Sequence, residues 1–190
     1  MPDTVPPVVA DARTRILDAA EHIVQAKGVA GLTLDAAARQ AGVSKGGLLY
    51  HFASKQALLI GLLTRLSDSI EADFQGVLAL QPPGRGRIAR AMLAWTFDHP
   101  ESVCEQHERA AGIFLAAFHQ DRALLDPIRR VFDRVRSGMH AEGLPPGHAL
   151  AVSAACDGLF MSRVFEMYEL SADELKALRA ALETLIGDVA

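Results

Sequence analysis

Apolar residues recur every three to four positions along most of this chain, and no stretch sustains an apolar–polar alternation with a period of two. Such spacing lays an apolar stripe along a helix and cannot line one face of a strand. Ile16, Leu17, Ala20, Ile23 and Val24 form the first stripe, between an N-cap at Asp11 and a C-cap candidate at Gly28. Leu34, Ala37, Ala38 and Ala41 form a short second one, opened by Thr33 and ended by Gly42. Ser44 caps another short segment running to Phe52. Ser54 or Lys55 then opens a longer helix striped by Leu59, Leu62, Leu63, Leu66, Ile70, Phe74 and Val77. After Pro82-Pro83-Gly84 come segments 85–99, 101–119, 121–141, 147–169 and 171–187, separated at Pro100, at Asp121 as an N-cap candidate, at the Pro/Gly-rich run 143–147 and at Ser171. The expectation is an all-α protein of about nine helices.

The 190 residues suit one large or two small domains. Pro2, Pro6 and Pro7 make 1–10 a flexible arm. Residues 11–58 are expected to form a first domain, 59–83 a linking helix and connector, and 84–190 a second domain. A hydrophobic content of 50% with 22% charged residues excludes a disordered chain. No apolar run approaches the roughly 20 residues of a membrane span, and the N-terminus has no signal pattern. Cys104 and Cys156 are too few and too far apart for a disulfide framework or zinc knuckle, so a soluble, cytoplasmic protein is expected. With a net charge of −4, any nucleic-acid contact has to come from a local basic patch.

Residues 33–52 supply such a patch. Small residues on the first helix allow close packing of the second; Gly42 permits the positive φ of a short inter-helix turn, and Val43 plugs the corner. Leu48 and Phe52, four apart, would face the core, leaving Lys45, Gly46, Leu49 and Tyr50 outside. That is helix-turn-helix geometry, in which the second helix enters the DNA major groove. Within 33–55 the basic residues Arg39, Lys45 and Lys55 face one acid, Asp35. Helix N-termini at Ser44 and Lys55 add unpaired N–H groups for phosphates. The same Gly42-Val43-Ser44 would also serve as an ordinary inter-helix turn.

The fuller string separates these readings. Thr33, Ala41-Gly42-Val43-Ser44-Lys45-Gly46, Tyr50-His51-Phe52, Ser54-Lys55 and Leu58 closely resemble the DNA-binding domain of TetR-family transcriptional regulators, over about residues 11–58. The resemblance implies phosphate contacts from Thr33, Tyr50 and Lys55, and recognition-helix contacts from Lys45, Gly46 and Gly47. It implies that His51 and Phe52 close the recognition helix onto the next one, and that an all-helical ligand-binding and dimerisation domain follows. Leu49 departs from the family, which often has an aromatic there, so an aromatic contact to DNA rests on Tyr50.

Gly46 and Gly47 each cost about 1 kcal/mol of helix propensity relative to alanine, which fits either close approach to the DNA backbone or tolerance in a short helix. The exposed positions offer no Asn, Gln or Arg for bidentate base reading. Lys45 to guanine and Leu49 or Tyr50 to thymine methyls remain, so preference leans on DNA shape and half-site spacing.

In the second domain, segment 147–169 is apolar almost all round and needs cover on both sides. Ala151, Ala154, Ala155 and Gly158 form a small-residue seam, and Leu175, Leu178, Leu182 and Leu185 a narrow stripe on the last helix. An isologous four-helix contact between two copies accounts for both, although both helices could bury within one subunit. Met92, Trp95, Phe97, Phe114, Phe118, Phe160, Met161 and Phe165 cluster on the middle helices as candidate pocket or plain core, with His99, His107, Arg109, His119 and Asp157 as polar groups nearby. Cys104 with His107 and His99 lacks the fourth ligand of a zinc site. The Cys104 thiol beside His107 and Arg109 could instead sense oxidants if its pKa were lowered. No nucleophile elbow, phosphate loop or paired His-Glu motif suggests catalysis.

The expected protein is thus a homodimeric, ligand-responsive regulator of double-stranded DNA, most simply a repressor, without cofactor, metal or membrane. An apolar or amphipathic effector would shift helix 55–79 and so the spacing of the reading heads. The alternatives are a DNA-binding protein of the same fold that answers to a protein partner or to no effector, and an all-helical enzyme.

Overall fold

The computed structural model describes residues 11–98 and 101–187, apart from the side chains of 101–105 and 108. Over these residues the chain forms nine α-helices and one 3-10 turn: α1 (Ala12–Gly31), α2 (Leu34–Ala41), α3 (Lys45–His51), α4 (Lys55–Ala79), α5 (Arg87–Phe97), α6 (Glu101–Phe118), the turn Arg122–Leu125, α7 (Asp126–Ala141), α8 (Pro146–Val164) and α9 (Ala172–Ile186). The all-α expectation is met. The arm 1–10, His99 and the Cys104 side chain lie outside the described residues.

Local chemistry places most of the helix starts. Asp11, Thr33, Ser44 and Ser54 each accept a backbone N–H three residues on, at 2.7, 3.1, 3.0 and 3.0 Å. Ser171 and Glu174 form a capping box on α9. Such caps satisfy N–H groups that have no partner within the helix, each contributing about 1 kcal/mol. The 121–141 segment divides: Asp121 caps the 3-10 turn through the Ala123 N–H, and α7 starts with Pro127 in its first turn.

Two helices depart from the sequence expectation. Gly28 takes a left-handed φ of 68°, yet helix resumes to Gly31 beyond the kink. α8 stops at Val164, short of residue 169. Glu166, at φ 50°, donates its N–H to the Arg163 carbonyl at 3.1 Å, and Met167 donates to Ser162 at 3.0 Å. These two bonds make a Schellman ending with a non-glycine residue in the left-handed position, which the sequence does not announce.

The core divides into two apolar clusters. The first gathers α1 to the middle of α4, including Ile16, Leu17, Leu48, Phe52, Leu58 and Leu62. It also takes Ala110, Ile113, Phe114 and Ala117 from α6, and Leu124 from the turn after it. The second joins Phe74 of α4 with α5, α7, α8 and α9 through Met92, Met139, Val152, Cys156, Leu182 and Ile186. By its packing, therefore, α6 belongs with the N-terminal helices, across the boundary drawn at Pro82-Pro83-Gly84.

That boundary is a braced joint. Arg87 donates to the carbonyls of Leu78 and Gln81 at 3.0 and 3.2 Å, and Arg90 to those of Pro82 and Arg85 at 2.9 and 2.8 Å. The Ile88 N–H in the first turn of α5 finds the Glu142 carboxylate at 2.7 Å. α4 is further tied to α1 by Arg65, which reaches Asp18 and Glu21 at 2.5 Å each, and to α7 by the Glu71–Arg134 pair.

The leucine stripe of α9 points inward. Leu182 is 4% exposed in the second cluster and Leu178 and Leu185 pack against it, while Leu175 is half-buried. Within one chain α5 and α8 pack on that side of α9, so Leu182 is taken up by the core, while Leu175, Leu178 and Leu185 keep part of their surface open. On α8 the seam is largely open, with Ala151, Ala154 and Gly158 exposed and Ala155 half-buried. Ala177, Ala180 and Ala181 are exposed on the outer side of α9.

Candidate nucleic-acid interface and cavity

Gly42 has φ 64° and ψ 38°, a conformation that favours glycine, and its N–H bonds back to Arg39. Val43 follows, half-buried against the first cluster, with its N–H on the Ala38 carbonyl at 3.0 Å. The turn therefore fixes the crossing of α2 and α3. Leu48 is fully buried and Phe52 4% exposed, as their spacing requires. Phe52 also carries the Arg13 guanidinium 5.5 Å above its ring and abuts Gly61, where a Cβ would stand 2.6 Å from the Phe52 ring.

On the outer side Tyr50 is 87% exposed and Leu49 40%, a large apolar area left open to solvent. Thr33, Arg39, Ser44, Lys45 and Gly46 are exposed; Gly47, His51 and Lys55 are half-buried. The His51 ring meets Tyr50 edge-on at 5.1 Å. Lys45 Nζ lies 3.0 Å from Asp35 Oδ1, a pairing across the α2–α3 turn that the sequence did not reveal. A Cβ at Gly46 would meet nothing within 4 Å, so the protein itself does not require glycine there.

A cavity of about 200 Å³ lies where the two clusters meet. One side is formed by Phe114 of the first cluster and by Ile70, Leu125 and Ile128, which pack against it. The other is formed by Met92 and Cys156 of the second cluster and by Trp95 beside them. Phe132, Phe160 and Met161 add further apolar wall, and Thr96, His107, Asp157 and Arg163 are polar groups within it. Buried His107 faces Asp73 of α4 at 3.1 Å through Nε2, and its ring lies 5.0 Å from that of Trp95. Phe74, next to Asp73, meets Trp95 edge-on at 5.8 Å.

Burial pushes the Cys156 thiol up to about 11, against a smaller opposing effect of a hydrogen bond with Thr96. Burial thus favours the protonated thiol at neutral pH. Desolvation likewise raises the Asp157 carboxyl above the usual carboxylate range.

Six of the eight expected pocket residues line this cavity: Met92, Trp95, Phe114, Asp157, Phe160 and Met161. Phe118 and Phe165 do not. Phe118 sits in the last turn of α6 beneath the Arg122 guanidinium, 5.3 Å from its ring, and Phe165 is 53% exposed where α8 ends. Arg109 and His119 are exposed and outside the wall. Sequence reasoning read Ile70 only as part of the stripe of its own helix and did not single out Leu125, Ile128 or Phe132. Among the described residues no three His, Cys, Asp or Glu side chains converge as metal ligands, and no helix is long and apolar enough to cross a membrane.

Residues 16–62 match the family described as bacterial regulatory proteins, tetR family, and residues 86–187 match the tetracyclin repressor-like C-terminal domain. The chain is 38% identical over 71 residues to the HTH-type transcriptional regulator SrpR of Pseudomonas putida, covering 37% of this chain and 33% of that protein. It is equally identical over 71 residues to TtgW, an uncharacterized HTH-type transcriptional regulator of the same species, covering 37% of this chain and 53% of that protein. These matches span a third to about half of the relatives' lengths. The multidrug binding protein EbrR complexed with malachite green superposes with a TM-score of 0.66 at 28% identity, over 94% of this chain and all of that one. Its complex with ethidium gives 0.64 and 26%, with the same coverage. SCO7518 of Streptomyces coelicolor A3(2), at 20% identity and a TM-score of 0.69 over 94% and 100%, shares the fold. The helix-turn-helix, the helical half that follows it and both family matches agree: the chain belongs to the TetR family of transcriptional regulators.

Proposed function

We propose that the protein is a homodimeric repressor that leaves its DNA when a small apolar or amphipathic molecule occupies the cavity. Each subunit sets α3 into one major groove of a near-palindromic operator. Thr33, Tyr50 and Lys55 hold phosphates, with the N-terminus of α4 beside them. Lys45, Gly46, Gly47 and Leu49 face the bases, and Arg39, Ser44 and His51 flank them. The outer sides of α8 and α9, small and apolar at Ala151, Ala154, Gly158, Ala177 and Ala181, fit an isologous contact with a second copy.

The observation that carries the effector reading is the cavity between the two cores, walled by Trp95, Phe114, Phe132 and Phe160. The EbrR complexes with malachite green and ethidium support a ligand of this kind. Residues 84–190 carry 12 Lys and Arg against 15 Asp and Glu and no glycine-rich phosphate loop, which disfavours a strongly anionic effector. A ligand that distinguishes the DNA-competent from the incompetent arrangement needs a differential affinity of about 1–3 kcal/mol. The site of action is the cytoplasm, where the DNA is.

Trp95 is the only tryptophan and forms part of the wall, so its fluorescence reports occupancy directly. Titration with a library of lipophilic compounds, with release from a duplex selected from a random pool as second readout, tests the proposal. Compounds that change Trp95 emission and release DNA together are expected. Release by highly charged metabolites alone would overturn the effector class, and turnover of a bound compound without any DNA affinity would overturn the whole reading.

A further inference from the structure

Between residues 33 and 55 stand Arg39, Lys45, Lys55 and a single carboxylate, Asp35. The carboxylate is not shared among the three cations. Asp35 Oδ1 lies 3.0 Å from Lys45 Nζ, while Arg39 and Lys55 have no acidic partner among the described residues. The cation assigned to the bases is thus the paired one, and the cation assigned to phosphate is free. Capped helices hold both ends of the pair: Asp35 sits in the first turn of α2 behind Thr33, and Lys45 opens α3 behind Ser44. A carboxylate in a first turn is also favoured by the helix dipole.

We propose that Asp35 is a specificity-determining residue that acts through Lys45, reserving its ammonium for a guanine edge and withholding it from phosphates. An ammonium has three N–H donors. With one on Asp35, two remain, enough for the neutral O6 and N7 acceptors of guanine. A phosphate approaching the same ammonium meets the carboxylate, anion against anion, and the pair has to open before that contact forms in full. Random duplex offers phosphates in every register, but the guanine edge only where the sequence supplies it. The carboxylate therefore subtracts more from non-specific than from specific binding, which is how a repulsive element raises discrimination. Lys45 and Asp35 are 63% and 69% exposed, so the pair is weak enough to leave the lysine available. This inference rests on the proposed seating of α3 in the major groove.

Asp35→Asn keeps the shape of the side chain and removes its charge. Its binding to the selected duplex and to random duplex is measured by fluorescence anisotropy across a salt series, with Tm and helical content recorded. Random-duplex affinity should rise about fivefold, with a log–log salt slope steeper by about one unit, as the freed Lys45 takes a phosphate. Affinity for the selected duplex should stay nearly unchanged, so the preference falls at least about threefold. Asp35→Glu, which retains the charge, should keep the wild-type slope and most of the preference. In a Lys45→Ala background, Asp35→Asn should alter neither preference nor slope. Equal gain on both duplexes, or the same gain without Lys45, would make Asp35 a diffuse charge and overturn the proposal, as would no change at all. If Lys45→Ala lowers the preference and Asp35→Asn does not, the seating of α3 stands and this inference alone falls. If the wild type prefers no duplex from the pool, both fall.

Discussion

Lys45, the first residue of the recognition helix, is paired at 3.0 Å with Asp35 in the first turn of the helix before it. Both side chains are well exposed, so the pair adds at most about 1 kcal/mol to folding. Its consequence lies in aim: the ammonium is held over the α2–α3 turn until a base or phosphate competes for it. Lys45→Ala should reduce the preference for operator over random duplex by about 1–3 kcal/mol, as loss of a base contact does. Equal loss on both duplexes in a competition assay removes Lys45 from base reading.

Lys55 and Tyr50 are proposed to hold phosphates, which carry no sequence information. Lys55→Ala should weaken binding to specific and random duplexes alike and flatten the salt dependence by about one unit of log–log slope. Binding isotherms across a salt series measure this. A change in sequence preference without a change in slope would move Lys55 into the groove.

The burial pattern separates assembly from folding. Ala154→Glu places a charge on the open side of α8 and should give monomers in sedimentation with helical content retained. Operator binding at physiological salt should be lost with the dimer, since one half-site offers about half of the phosphate contacts. Leu182→Asp puts a carboxylate into the second core and should unfold the C-terminal half, at a cost of several kcal/mol. A dimeric Ala154→Glu protein would place the contact elsewhere.

Asp157 predicts a pH dependence of known sign. Although the residue reaches the surface, partial desolvation of its carboxyl against the cavity wall raises its pKa in the folded chain, so the native state holds the proton to higher pH than the unfolded state does. The resulting penalty is present above the folded pKa and relieved as the pH falls through it. Asp157→Asn should therefore melt at a higher temperature than the wild type at neutral pH, with the gap closing on acidification through the carboxylate range. A gap that widens on acidification would mean that Asp157 is stabilised as a carboxylate.

The helices and their starts were legible because the signals are local: a stripe, a hydroxyl or carboxylate three residues before an N–H, a glycine at a left-handed turn. The reading head was legible for the same reason, since Gly42, Leu48 and Phe52 act within one short segment. Inward or outward facing of a stripe was not. Leu178 and Leu182 have the spacing of an intersubunit seam and of an intrasubunit core alike, and only the presence of α5 and α8 on that side shows Leu182 buried within its own chain. Ile70, Leu125, Ile128 and Phe132 come from three separate elements, and nothing in their own segments shows that they meet. The end of α8 was missed because Glu166 holds a conformation that sequence normally flags with glycine or asparagine.

The placement of α6 bears on how this protein can be taken apart. The family matches, at 16–62 and 86–187, invite a cut near residue 84 and the grafting of one half onto another regulator's partner half. A fragment ending there would lack the helix that packs on α1 and α4, exposing oily surface where Ala110, Ile113, Phe114 and Ala117 now sit. The reading head is accordingly not a portable module. Chimeras joined at the connector should be insoluble unless the donor's sixth helix is recut to match.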